Sequence, residues 1–138
     1  MIDYKKYETL KIEKTDKIAT VTLNRPQAAN TLNRQMQREL PELWVDLMKD
    51  DDVNVIVLTG TGRFFSAGGD LKDMLIAEQR GEKYTTFPET RQHIMNIMNL
   101  EKPMVAAVNG DCIGLAANIV LFSDIIIADE NARFGDPH

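Results

Sequence analysis

Cysteine is almost absent from this chain. Cys112 is the only one, so no disulfide can form within it, and a reducing compartment suits the sequence. Histidine is scarce too: His93 and His138 lie far apart and lack metal-ligand spacing, so no metal site is expected. No apolar run approaches the ~20 residues of a membrane-spanning helix. Met1 to Lys6 carries no apolar stretch of the kind that forms a secretory signal. A cytoplasmic protein without a membrane partner is expected. Positive charge is in deficit, with 16 Lys and Arg against 21 Asp and Glu and a net charge of −5, which argues against a general nucleic-acid surface. That balance still permits a polyanionic ligand held by local backbone donors and a few basic side chains.

Several catalytic motifs are missing as well. Gly60-Thr61-Gly62-Arg63-Phe64-Phe65 begins like a dinucleotide fingerprint, but Phe65 stands where the third glycine belongs. No glycine loop is followed by a Lys-Ser/Thr pair, which removes the phosphate-cradling P-loop. Ser66 has no glycine two places before it, so the nucleophile-elbow pattern fails. Cys112 reads as a small packing residue.

What the 138 residues do contain is one device used twice. Asn54 to Thr59 is an apolar, β-branched strand that enters the glycine-rich stretch 60–69, and a helix follows from about Leu71. Met104 to Val108 enters Asn109 to Gly114, and a helix follows from about Leu115. Each unit places unpaired backbone N–H groups and the positive end of a helix at the mouth of a parallel sheet. Two such donors aimed at one point make an oxyanion hole, the device of an enzyme that builds negative charge on a carbonyl oxygen.

The rest of the chain supplies the frame. Tyr7 to Leu23 reads as a β-hairpin turning at Lys14-Thr15-Asp16-Lys17, and Asn24-Arg25-Pro26 ends its second strand. A loop through Ala28-Ala29-Asn30 leads to a helix over about 33–49, with Met36, Leu40, Trp44 and Leu47 at helical spacing. Pro41 is expected to kink or break that helix. Val53 to Leu58 reads as a strand buried on both faces. Asp70 reads as the cap of the helix that follows it rather than as a base. Residues 81–88 read as an irregular loop, 91–100 as a helix and 124–128 as a last short strand. His93 is expected on a pocket rim or exposed. Alternation of strand and helix predicts an α/β fold with right-handed crossovers and a mostly parallel sheet. Gly135-Asp136-Pro137-His138 is turn-like with no closing element, so the chain is expected to correspond to a truncated or incompletely represented subunit.

Four stretches together carry a family resemblance. Phe65-Ser66-Ala67-Gly68-Gly69-Asp70-Leu71 resembles the first oxyanion loop of the crotonase superfamily, the enoyl-CoA hydratase/isomerase group, which reads Phe-Ser/Ala-Ala-Gly-x-Asp-Leu. Asn24-Arg25-Pro26 through Asn33, Lys102 through Gly110, and Ser123 through Gly135 resemble three further family segments in the same order. The resemblance covers the whole chain. It implies a crotonase-like ββα superhelix, a spiral of repeated ββα turns, with residues 1–138 as its N-terminal part and the C-terminal helical part absent. It also implies acyl-CoA substrates, with coenzyme A as substrate carrier and no bound prosthetic group, and assembly as a homotrimer or dimer of trimers. The oxyanion donors it implies match the amides of Ala67 and Leu115, with Ala29, Ala67, Gly68, Gly69, Asp70 and Leu71 as the coenzyme A contacts.

The chain also departs from the family pattern. Leu115 stands where the family usually has glycine. Family hydratases use two glutamates to position and activate water, and these align with Asn118 and His138. Asn118 cannot exchange protons near neutral pH, whereas histidine can. Three functions follow as alternatives. The first is an enoyl-CoA hydratase or isomerase type of enzyme working through a thioester enolate. The second is a β-diketone C–C hydrolase using His138, since one superfamily member uses histidine in this region. The third is a catalytically silent scaffold. His138 also reads simply as a turn residue.

Overall fold

The computed structural model describes residues 1–82 and 88–137, so most of the expected loop at 81–88 and all of His138 lie outside the described residues. Strands β1 (Leu10–Thr15) and β2 (Ile18–Leu23) form the expected hairpin, with Thr15 opposite Ile18. Only Asp16 and Lys17 are left to turn the chain, both with positive φ (51° and 64°). That mirror-type turn matches the natural twist of a two-strand ribbon. Three further strands then add in parallel: β3 (Val55–Gly60), β4 (Met104–Val108) and β6 (Ile125–Ala128), giving the order β1-β2-β3-β4-β6.

A second, smaller layer sits beyond the ends of the parallel strands. Leu32 bridges Gly69, Ser66 bridges Cys112, and β5 (Cys112–Ile113) pairs with β7 (Phe134–Gly135). These segments follow β2, β3, β4 and β6 in the chain. The second layer therefore repeats the strand order of the first. Helices α1 (Arg34–Lys49), α2 (Leu71–Gln79) and α4 (Leu115–Leu121) then leave the second-layer segments after β2, β3 and β4. Strand, short strand, helix is thus one repeating unit stepped along the sheet, the ββα spiral that the motifs imply. Helix α3 (Pro88–Met98) packs on α1 before β4 begins.

Helix α1 starts where Asn33 accepts a bond from the Met36 amide (2.9 Å), an N-cap. It runs through Pro41 unbroken, which corrects the expected break. Pro41 has no N–H to bond the carbonyl one turn back, a cost of ~3 kcal/mol. Against this, Met36, Leu40, Leu43, Trp44 and Leu47 are each no more than 1% exposed. At ~1.5–3 kcal/mol for each buried side chain, packing outweighs the proline.

The strands alternate between buried and half-buried positions, so β3 has one face in the core and a second face only partly covered. This corrects the expectation of full burial on both sides. The edge strand β6 goes further: Ile125, Ile126 and Ile127 are all exposed. The motif residues serve as ties between units. Lys102 Nζ donates to the carbonyls of Leu47 and Asp50 at the end of α1 (2.6 Å each), and Asp124 accepts from the Met104 amide (2.7 Å). Among the described residues no helix is long and apolar enough to cross a membrane.

Candidate active site

Two asparagines hold the first glycine loop in shape. Asn30 Nδ2 donates to the carbonyls of Thr61 and Phe64 (2.9 Å each). Asn109, from the second loop, accepts from the Gly60 amide (3.0 Å) and donates to the Gly62 carbonyl (2.9 Å). The loops are then laced together, since Ser66 N–H donates to Asp111 O and Ile113 N–H donates to Ser66 O (3.0 Å each). Each side chain replaces a partner that an irregular backbone would otherwise lack.

The amide expected as the first donor, Ala67 N–H, is already committed within the fold. Ala67 N–H donates to the Ala29 carbonyl at 3.0 Å, so it is not available to a ligand. Its segment is extended and stitched to neighbours on both sides, which commits its donor. Gly68 N–H donates to Ser66 Oγ (3.1 Å). At Gly68 the backbone takes φ +94°, and a Cβ there would lie 2.8 Å from the Ile113 carbonyl oxygen, so only glycine fits. The chain reverses at that point, and the next amide, Gly69, has no acceptor among the described residues. The same holds for Leu71 and for Leu115, which open α2 and α4.

These groups line one cavity of about 530 Å³. Its walls include Ala67, Gly68, Gly69, Leu71 and Met74 from the first unit, and Ile113, Gly114, Leu115 and Asn118 from the second. Gln37, Thr90, Asp136 and Pro137 complete the lining. The two loops meet at Gly68 and Gly114, where a Cβ on Gly68 would lie 3.8 Å from the Gly114 Cα. The residues that follow this contact are Gly69 and Leu115. Two open amides therefore flank one backbone contact on the wall of one cavity.

The expected site residues divide cleanly. Ala67, Gly68, Gly69, Leu71, Leu115 and Asn118 come together on the cavity wall, whereas Ala29 and Asp70 are not on it. Ala29 has φ +50° and supports Ala67 from behind. Asp70 caps α2, accepting from the Lys72 amide (3.0 Å) and the Asp73 amide (3.4 Å), and it pairs with Arg25 Nη1 (3.1 Å) and Thr31 Oγ1 (3.0 Å). Burial alone would raise its pKa, but the bonds from Thr31 and Arg25 hold it below the usual carboxylate range. It is a cap, as its place after the glycines suggests.

A family model described as enoyl-CoA hydratase/isomerase matches residues 13–138. The chain belongs to the enoyl-CoA hydratase/isomerase family. It is 38% identical over 128 residues to the short-chain-enoyl-CoA hydratase of Clostridium acetobutylicum, covering 91% of this chain and 48% of that protein. It is 36% identical over 127 residues to the 2,3-dehydroadipyl-CoA hydratase of Escherichia coli, covering 91% and 48% respectively. A crystal structure of an enoyl-CoA hydratase/isomerase from Mycobacterium paratuberculosis superposes with a TM-score of 0.84 at 34% identity, over 94% of this chain and 53% of that one. The chain spans about half the length of the curated relatives it matches.

In this enoyl-CoA hydratase/isomerase family member, Asn118 lies one turn into α4, with its Nδ2 donating to the Gly114 carbonyl at 3.3 Å. His93 is not on the rim, which corrects that expectation. It is 4% exposed, stacked edge-on against Trp44 (ring centroids 5.9 Å apart), and its Nε2 is buried without a partner among the described residues. Burial pushes its pKa down to about 4, so it is neutral at pH 7 and has no reach to the cavity. Burial likewise pushes the Cys112 thiol up to about 12, leaving it unreactive. Among the described residues no cluster of His, Cys, Asp or Glu is arranged to hold a metal.

Sequence reasoning missed Gln37, Thr90 and Asp136 as wall residues. Thr90 Oγ1 donates to Gln37 Oε1 (2.9 Å) across the packing of α3 on α1, a long-range meeting with no local signature. Asp136 had a signal, since it directly follows the Ser123 to Gly135 stretch that resembles the family.

Proposed function

We propose that this chain forms the thioester-activating part of an acyl-CoA enzyme of the hydratase/isomerase type. The amides of Gly69 and Leu115 receive the thioester carbonyl oxygen and stabilise the enolate formed when the α-carbon loses a proton. The observation that carries this reading is the pair of open amides flanking the Gly68–Gly114 contact on one cavity wall. Donors held in place before the reaction begins need no reorganisation as charge develops, and each is worth on the order of 10²–10³ in rate. The enoyl-CoA hydratase names of the relatives support a coenzyme A thioester as substrate. The neutral Asn118 argues against water addition by a pair of glutamates and favours chemistry centred on the enolate.

Calorimetric titration of the full-length protein with crotonyl-CoA tests the reading. Saturable binding that weakens with free crotonate and with free coenzyme A is the expected result. Absence of binding to any of a panel of acyl-CoA thioesters would remove it.

A further inference from the structure

We propose that Asp136 is the proton-transferring group of this cavity. The inference rests on the enolate reading above and adds the base that reading lacks. Among the described residues on the cavity wall, Asp136 is the one with a carboxylate, a group able to accept and return a proton; the other polar groups are the amides Gln37 and Asn118 and the Thr90 hydroxyl.

Its place is fixed by backbone bonds rather than by a flexible tail. Gly114 N–H donates to the Gly135 carbonyl at 2.8 Å, and Gly135 pairs with Ile113 in the β5–β7 ladder. Asp136 is the next residue after that pinned carbonyl, and Leu115 is the next residue after that pinned amide. Asp136 is therefore held on the same cavity wall as the Leu115 donor by a single hydrogen bond between their neighbours. Pro137 restricts the Asp136 backbone to extended geometry and also lines the cavity.

The chemistry follows from having one base beside an enolate site. The C–H bond at the α-carbon of a β,γ-enoyl thioester breaks, and the proton passes to the Asp136 carboxylate. The electron pair moves into a dienolate whose charge lies on the oxygen held by Gly69 and Leu115. Asp136 then returns the proton to the γ-carbon, and the double bond moves into conjugation. Atoms and electrons balance with no water consumed and no second base. A thioester seated in the cavity strips water from a carboxylate at its wall, and a less hydrated carboxylate is the stronger base.

The test follows 3-hexenoyl-CoA in buffered D2O by proton NMR, for the full-length protein and for Asp136→Asn, Asp136→Glu and His138→Gln. Binding is measured by calorimetry and folding by thermal melts. Asp136→Asn is expected to lower isomerisation and deuterium uptake by about 10²–10⁴, with the Kd for the thioester within about threefold of the parent. Asp136→Glu is expected to recover part of the rate and to keep the acidic limb of the pH–rate profile, and it decides the matter should Asp136→Asn fail to fold. His138→Gln is expected to retain isomerisation. Deuterium uptake by Asp136→Asn within about fivefold of the parent overturns the proposal while leaving the enolate reading intact, as does loss of exchange in His138→Gln alone. A parent protein that binds no thioester removes the enolate reading, and this inference with it.

Discussion

The two strand–glycine–helix units have one architecture and opposite finishes. In the first, the helix that follows the loop is closed by a side chain: Asp70 accepts from the amides of Lys72 and Asp73 and is itself anchored by Arg25. In the second, Gly114 takes the cap position with φ 59° and ψ −127°, and no side chain closes α4. A polar cap satisfies first-turn donors internally, whereas a glycine leaves them for whatever enters the cavity. One unit closes its helix internally and the other leaves its helix end open. The first leaves the Gly69 amide open only by reversing its chain at Gly68, two residues before the cap.

The largest expected effect comes from removing the contact that both units share. Gly68→Ala forces a side chain into positive φ and toward the Ile113 carbonyl, so both donors lose their relative placement. Turnover should fall by about 10³ or more, and chemical denaturation should show a loss of about 3 kcal/mol. Leu115→Pro asks about the second unit alone. Proline is tolerated at the first helical position and deletes the N–H, but it also trims a leucine side chain packed on the core, so the reference is Leu115→Ala. Turnover should drop on the order of 10²–10³ below that reference, with little difference in melting temperature between the two variants. Unchanged turnover would show that the α4 amide has no part in catalysis.

Asp70→Ala asks the converse question of the first unit. It removes the cap and strands a largely buried Arg25, so stability should fall by about 3 kcal/mol. Turnover measured well below the new melting temperature should change far less than in Leu115→Pro. Acid supplies the mildest test. His93 is held neutral in the folded protein, with its pKa lowered from 6.5 to about 4. The unfolded chain therefore binds a proton first as pH falls, and stability that is fully present above pH 6.5 declines until pH reaches about 4. At pH 5.5 the loss should be about 1.4 kcal/mol. It should vanish in a folded His93→Leu variant, which has no imidazole to protonate. Helix α4 holds no titratable side chain, so the His93 effect arises where α3 packs on α1 and not at the second unit.

Elements with strong local signatures were readable from the residues. The apolar runs at 55–58 and 104–108 became strands, and an aspartate after two glycines became a helix cap. The donor at Ala67 was misread for a physical reason. A glycine-rich loop advertises open amides, but which ones stay open depends on carbonyls that arrive from elsewhere in the chain, here Ala29. Pro41 was misjudged because its penalty is local while the compensating burial comes from the whole core. His93 looked like a surface residue because nothing in its own helix announces Trp44.

The outer strand bears on any measurement made with residues 1–138 alone. Ile125, Ile126 and Ile127 are exposed in that span, and an uncovered apolar strand is a ready place for chains to stick to one another. Light scattering across a dilution series should therefore accompany melts of the 138-residue chain, so that clumping is not read as a change in fold, while titrations and turnover are read on the full-length protein.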